Sequence, residues 1–333
     1  MSMSNRQEKL VGSLLSLPTF NDENHNLLLD RQIVHINWLI EKGMTEGNAV
    51  LLIAGGLGEG AFFNNQEWRI QAEMVVDAAG GRVPTAIGVT ELSAREAAEK
   101  AKVASDLGID FLQMTPPHYM APSDEDVFGF YKYVNDAADI GIIAYNLPWC
   151  IPNGFEFRHN LFERFADLDN MDGLKWGSLS VSHWASMIRL YKDRFNFIEQ
   201  GGMLSLGYKL GMVGFIDTLG NVAPRWSLKK LELIREKKFD EFDSLELARF
   251  DAEINAARDI IVGTSEQPAS SPVYSGMGEG PPARERLLAM GMDTGPHFPI
   301  QQPVSEEFRQ VLRNSIESSG FMEWVDWNQS LFD

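Results

Sequence analysis

A tyrosine and a lysine close two short apolar runs of this chain. The first run is Gly141-Ile142-Ile143-Ala144-Tyr145-Asn146-Leu147-Pro148, and the second is Met171-Asp172-Gly173-Leu174-Lys175-Trp176-Gly177. Runs of this kind read as buried strands. On neighbouring parallel strands Tyr145 and Lys175 stand side by side at one sheet edge. A semi-buried lysine there can lose its proton and attack a carbonyl. A phenol beside it can carry protons into and out of the adduct. The same residues also fit a structural role, with Lys175 matched by a carboxylate and Tyr145 serving as packing.

Such a pair needs a regular scaffold, and the chain alternates strand-like and helix-like stretches. Strands are expected at 10–17, 48–54, 83–89, 109–114, 140–145, 173–175, 195–199 and 213–216. Helices are expected between them at 27–42, 65–79, 93–107, 124–138, 157–168, 181–192 and 203–210, with a last one at 226–236. Ser93 with Glu96 three residues on has capping-box spacing. Eight unbroken units over residues 10–237 favour an α/β fold of the closed (β/α)8 TIM-barrel type over an open doubly wound sheet. Residues 238–333 then form a C-terminal helical extension packed on the barrel. Within it, 239–262 reads as one amphipathic stretch and 263–282 as a long Ser-, Gly- and Pro-rich loop. Helices follow at 282–290 and 305–318, and the aromatic tail 321–327 is suited to docking against the body or a neighbouring subunit.

Composition narrows the partners. Of 333 residues, 44% are hydrophobic and 23% charged, with a formal charge of -18. An acidic surface argues against nucleic acid and against an anionic membrane. The single cysteine, Cys150, allows no intrachain disulfide and no cysteine-based metal site. His25, His35, His159, His183 and His297 show no metal-ligand spacing, and no nicotinamide or flavin fingerprint is present, so no metal and no cofactor is expected. No signal-peptide pattern and no membrane-length apolar stretch is visible. The cytoplasm is the expected location.

In a barrel the active site lies at the C-terminal ends of the strands. Strand two delivers Gly55-Gly56-Leu57-Gly58-Glu59 there, and strand four delivers Thr115-Pro116-Pro117-His118-Tyr119. Strand five delivers Tyr145, strand six Lys175, and strand seven Glu199-Gln200-Gly201-Gly202. Glycines 55, 56, 58, 88, 201 and 202 would let loops approach a ligand closely. Glu59 is expected to hold the glycine loop by accepting backbone N–H bonds. Asn146 is expected to brace a loop. His118 is either a loop residue or a proton relay.

These residues, in this order, resemble the dihydrodipicolinate synthase and N-acetylneuraminate lyase family of class I aldolases. The family's Gly-Thr-Thr-Gly-Glu loop corresponds to Gly55-Gly56-Leu57-Gly58-Glu59. Its Tyr-Asn-x-Pro corresponds to Tyr145-Asn146-Leu147-Pro148, and its Gly-x-Lys to Gly173-Leu174-Lys175. Its second tyrosine matches Tyr119, and Asn221-Val222-Ala223-Pro224 is also family-like. The resemblance implies a (β/α)8 barrel, an imine between Lys175 and a 2-oxo acid, and proton transfer by Tyr145 with Tyr119 as its partner. It implies carboxylate binding by the backbone N–H groups of Gly55, Gly56 and Leu57, and a homodimer or homotetramer.

The departures bear on substrate. Gly56 and Leu57 stand where the family has two threonines, so water, His118 or Tyr119 must replace the threonine relay. Cys150 stands where the synthases proper carry a carboxylate-binding arginine, and it cannot make that bidentate pair. Trp149, Cys150, Ile151 and Pro152 would give the pocket mouth an apolar wall. With Gly201 and His118 they complete the expected substrate contacts. The expected activity is a Schiff-base lyase of the aldolase or hydratase-aldolase type that releases pyruvate from, or condenses it with, an apolar or aromatic aldehyde. The alternatives are a dehydratase of 2-keto-3-deoxy sugar acids and a barrel that binds without turnover.

Overall fold

The computed structural model describes residues 5–200, 202–247 and 280–332. Its centre is a closed barrel of eight parallel strands in sequence order. They are β1 (Gly12–Ser16), β2 (Ala49–Ile53), β3 (Thr85–Val89), β4 (Phe111–Met114), β5 (Gly141–Tyr145), β6 (Met171–Trp176), β7 (Asn196–Glu199) and β8 (Gly214–Asp217). β8 pairs back onto β1 and closes the ring. A short α1 (Asn5–Lys9) precedes the barrel. The surrounding helices are α2 (Leu29–Glu41), α3 (Asn65–Ala79), α4 (Ala94–Leu107), α5 (Asp124–Asn135), α6 (His159–Phe165), α7 (Val181–Tyr191), α8 (Leu204–Leu210) and α9 (Pro224–Arg235). The (β/α)8 expectation holds, with strand and helix ends shifted by a few residues.

Strand alternation builds two layers. Leu14, Val50, Leu52, Ala86, Phe111, Ile143 and Ile198 fill the barrel interior. Their neighbours Leu15, Leu51, Ile53, Ile87, Leu112 and Ile142 pack under the helices. β6 breaks this rhythm once. Ile142 pairs with Met171, but Ile143 pairs with Gly173, so Asp172 is an extra residue opposite no partner. Met171 and Leu174, three apart, therefore both lie in the outer core. Beyond the bulge the alternation is reset, and Lys175 turns inward. Buried Asp172 is held from α1: Arg6 Nε donates to its Oδ2 at 2.9 Å, and Gln7 Nε2 to its carbonyl at 3.2 Å.

The Ser93 cap forms only in part. Its hydroxyl accepts from Glu96 N at 3.3 Å, while the Glu96 carboxylate takes Asn65 Nδ2 at 2.6 Å and leaves the box half made. Of the stretch expected at 239–262, Phe239–Leu247 is the helix α10 and the rest lies outside the described residues. The loop expected at 263–282 lies outside them too, except that its end at Gly280 already opens helix α11 (Gly280–Ala289). α12 (Glu306–Ser319) follows. The aromatic tail docks on the body: Trp324 packs edge-on to Trp226 at 5.3 Å, and Trp327 to Trp38 at 5.0 Å.

His35 on α2 lies under this tail, 5.3 Å from Trp327 between ring centroids. Its Nε2 bonds the Asn221 carbonyl at 3.0 Å, which requires Nε2–H. Burial pushes its pKa down to about 4. The unfolded chain titrates near about 6.5 and so binds the proton first. Stability from this site is complete above that pH and is lost as pH falls toward 4, at about 1.4 kcal/mol per unit. Urea unfolding of wild type and His35→Leu between pH 7 and 4.5 should show a steeper acid loss in wild type, by about 2–3 kcal/mol. Parallel pH profiles would contradict this role.

Candidate active site

The β5–β6 register places Tyr145 directly opposite Lys175. Both side chains are buried, and Lys175 Nζ lies 3.9 Å from the centroid of the Tyr145 ring. The phenol is held from β7. Gln200 Nε2 donates to the Tyr145 hydroxyl oxygen at 2.5 Å, and Gln200 N donates to the Trp176 carbonyl at 3.3 Å. The amide of Gln200 is a partner of the phenol that the expectation of water, His118 or Tyr119 did not include. An N–H directed at the phenolic oxygen leaves the O–H proton for other acceptors.

Tyr145 forms part of the wall of a cavity of about 160 Å³ at the C-terminal ends of β2 to β5. Gly55, Gly56 and Glu59 line it from the loop after β2, with Ala61 and Phe62 beyond them. Thr90, Gln113 and Thr115 line it from β3 and β4, and Leu147 and Cys150 from the loop after β5. Gly280 and Gln301 complete it from the C-terminal segment. Lys175 stands beside this space, against the tyrosine that walls it.

The loop after β5 is braced as expected. Asn146 is fully buried, donates to the Gly177 carbonyl at 2.7 Å and accepts from Phe157 N at 2.9 Å. This ties the ends of β5 and β6 together. Trp149 packs edge-on to Tyr145 at 6.3 Å, and its ring also covers Gly177. Cys150 reaches the cavity. Ile151 does not: it is buried in the outer core, and Leu147 and Phe62 take its expected place in the apolar wall.

The glycine loop is held differently from expectation. The chain turns sharply after β2, with Ala54 at φ 51°, and Gly88 of β3 approaches so closely that a Cβ would sit 2.0 Å from the Ala54 carbonyl oxygen. Thr19 Oγ1 donates to the Gly58 carbonyl at 2.8 Å. The carbonyls of Gly55 and Gly56 accept from Gly60 N and Glu59 N within the turn. Among the described residues no backbone N–H is seen to satisfy the Glu59 carboxylate. It pairs with Arg284 of α11, whose Nε lies 2.8 Å and Nη2 2.6 Å from Oε2. Arg284 Nη1 is tied in turn to the Thr294 carbonyl at 2.9 Å. Burial pushes the Glu59 carboxyl up, while Arg284 opposes this. Phe298 stacks on Phe62 at 6.3 Å, a second clamp from the C-terminal segment onto the same loop.

Of the residues singled out in the sequence, Tyr145, Cys150, Gly55 and Gly56 line the cavity, and Lys175 and Trp149 do not line it but pack against Tyr145. Leu57 is buried and its side chain does not front the cavity. His118 is half-buried and Tyr119 is 79% exposed, and neither lines the cavity. Gly201 lies outside the described residues. Thr115 and Gln200 were placed at the barrel rim but given no role, and sequence reasoning missed Gln113, Thr90, Arg284 and Gln301. Gln113 could have been found, as a glutamine at an inward position two residues after Phe111 on an otherwise apolar strand. Arg284 and Gln301 carry no local signal.

A (β/α)8 barrel with a buried lysine and tyrosine paired at its C-terminal rim defines a Schiff-base-forming lyase. Residues 12–252 match the model of the dihydrodipicolinate synthetase family. A 4-hydroxy-tetrahydrodipicolinate synthase of Methylobacterium radiotolerans is 33% identical over 65% of this chain and 71% of its own length. That of Methanothermobacter thermautotrophicus is 32% identical over 63% and 73%. Among solved structures, the prophage protein YagE of E. coli K12, determined with pyruvate, superposes with a TM-score of 0.78 at 21% identity, over 93% of this chain and 99% of its own. Dihydrodipicolinate synthase of Acinetobacter baumannii, also with pyruvate, gives a TM-score of 0.74 at 23% identity over the same shares. At these identities the superpositions speak to the fold. The chain belongs to the dihydrodipicolinate synthetase family, and it is an enzyme of the pyruvate-dependent, class I lyase type.

Removing one partner of a buried ion pair strands the other charge, at a cost of about 3–5 kcal/mol. Arg284→Leu should lose stability of that order in chemical denaturation, and the double variant Arg284→Leu/Glu59→Leu should recover most of it. A loss below about 1 kcal/mol in the single variant would show that the pair does not hold the loop.

Proposed function

We propose that Lys175 is the imine-forming residue of a lyase that acts on a 2-oxo acid, and that the partner product or substrate is an aldehyde with an apolar or aromatic body. The observation that carries this reading is the juxtaposition of Lys175 and Tyr145 beside a cavity at the C-terminal rim. The Lys175 amine adds to the C2 carbonyl and water leaves, giving an iminium. In the cleavage direction the C3–C4 bond breaks, and its electron pair passes to the iminium to form an enamine. The C4 hydroxyl proton goes to Tyr145 phenolate, and the aldehyde departs. The enamine takes a proton at C3 from Tyr145, and water releases pyruvate and free Lys175. Condensation is the reverse.

The backbone N–H groups of Gly55, Gly56 and Leu57 are assigned to the substrate carboxylate, since the turn uses the Gly55 and Gly56 carbonyls internally. Gln200 is assigned the positioning of the phenol. The wall of Ala61, Phe62, Leu147 and Cys150 supports an apolar aldehyde, and it holds no cation for a second carboxylate. Tyr119 reaches no catalytic group within one copy. Its exposure suits contact with a second copy in the homodimer or homotetramer that the family suggests.

Borohydride reduction in the presence of pyruvate should add the mass of the reduced ligand to the peptide containing Lys175. Lys175→Ala should abolish both the label and turnover. Tyr145→Phe should stay folded and slow turnover by roughly 10²–10⁴-fold, and Gln200→Leu should lower kcat with KM little changed by releasing the phenol from its held position. Label on another lysine, or none with any 2-oxo acid, would end the reading. Faster turnover of a dicarboxylate or polyhydroxy acid than of an aromatic substrate would remove the apolar aldehyde from it.

A further inference from the structure

The β4 side of the cavity carries two buried polar atoms that no described residue satisfies. Gln113 Oε1 and Thr115 Oγ1 have no hydrogen-bond partner, and their residues are 3% and 6% exposed. Both line the cavity. They are two residues apart, on the same inward face as Phe111 of the barrel interior. Met114 pairs with Ala144, so Thr115 comes level with Tyr145, which is itself opposite Lys175. The rim therefore presents Thr115, Tyr145 and Lys175 in that order on three adjacent strands.

An unpaired polar atom in the interior is costly, and the fold retains these two on the β4 side of its candidate site. Their chemistry selects what can complete them. Gln113 Oε1 is an acceptor and needs a donor, whereas the Thr115 hydroxyl can donate or accept. A ligand hydroxyl satisfies both, donating to Gln113 and accepting from Thr115. A carboxylate or ketone sets acceptor against acceptor at Gln113. A hydrocarbon leaves both atoms unpaired.

We infer that Gln113 and Thr115 form a hydroxyl subsite for the C4 hydroxyl of a 4-hydroxy-2-oxo acid. This rests on the Schiff-base reading, which fixes C2 at Lys175. The acid then runs along the rim from Lys175, past Tyr145, to Thr115. Lys175 and Thr115 stand two strand spacings apart, about 9.6 Å at the backbone, and the long lysine side chain and the convergence of inward side chains close that gap to the reach of C2 to C4 with its hydroxyl. The hydroxyl oxygen is held next to the phenol, and in cleavage its O–H swings from Gln113 Oε1 to the Tyr145 oxygen, which takes the proton. The apolar wall opposite is left for the substituent on C4.

The test is borohydride trapping of the full chain over a concentration series of 4-hydroxy-2-oxobutanoate and of 2-oxobutanoate, which lacks only the hydroxyl. Intact mass separates the hydroxy-acid adduct from the pyruvate adduct left by cleavage, and their sum reports occupancy. Wild type should reach half-saturation at a roughly tenfold or more lower concentration of the hydroxy acid. Gln113→Leu and Thr115→Val should each bring the ratio of the two acids toward one, and Thr115→Ser should preserve it. Because each variant is compared with itself on two ligands, a general loss of folding cannot mimic the result. Equal half-saturation in wild type, or an unchanged ratio in both variants, overturns the subsite while leaving the imine intact. No adduct with either acid overturns the Schiff-base reading, and the subsite with it.

Discussion

The extra residue in β6 is the constraint on which the site depends. Met171 must face the outer core, and an unbroken strand would send Gly173 and Lys175 the same way. Lys175 would then lie under the helices, where Leu174 and Trp176 now pack, with its ammonium in apolar packing. The bulge at Asp172 turns it into the barrel instead and sets it opposite Tyr145. Asp172 is fixed by Arg6, which also reaches Asp139 at 2.6 Å and Asn170 at 2.7 Å. Gly141 faces the bulge, and a Cβ there would meet Asp172 Oδ2 at 2.8 Å and the Phe111 ring at 2.5 Å. A short helix before the barrel thus aims the lysine at the other end of β6.

From that pairing the rest of the site follows as a division of labour between chain segments. β7 supplies Gln200, which fixes the phenol, and the Asn146 bridge locks the β5 and β6 ends to each other. The glycine loop closes on itself through the Gly55 and Gly56 carbonyls and is pinned by Thr19, but its glycines offer little side chain to pack. Its clamps come from the far end of the chain, through Arg284 on Glu59 and Phe298 on Phe62. Gly280 packs so tightly on Glu59 that a Cβ would overlap its carboxylate at 1.9 Å. The C-terminal segment is therefore part of the cavity and not merely an outer layer on the barrel.

The barrel was legible because each strand is short, apolar on both faces and separated by an amphipathic helix, and that signal is local. Tyr145 and Lys175 were legible because each ends such a run. The bulge was not, since it is set by Arg6 acting across 166 residues of sequence on an aspartate that looked like an ordinary strand polar residue. Glu59 was placed in the right loop but given the wrong partner, because a guanidinium 225 residues away leaves no trace beside it. Ile151 followed the apolar run after Tyr145, but the chain turns it into the core and brings Leu147 to the cavity. Tyr119 matched by motif, yet the loop after β4 carries it to the surface.

The central claim is that Lys175 is the electrophile-activating amine and that the bulged β6 delivers it to the substrate keto carbon. A crystal of the protein soaked with pyruvate at neutral pH, without reductant, tests it most directly. The account predicts continuous density from Lys175 Nζ to C2 of the ligand, with the ligand carboxylate against the backbone amides of the Gly55–Leu57 turn. Pyruvate bound in the cavity without a bond to Lys175, or joined to any other lysine, would contradict it.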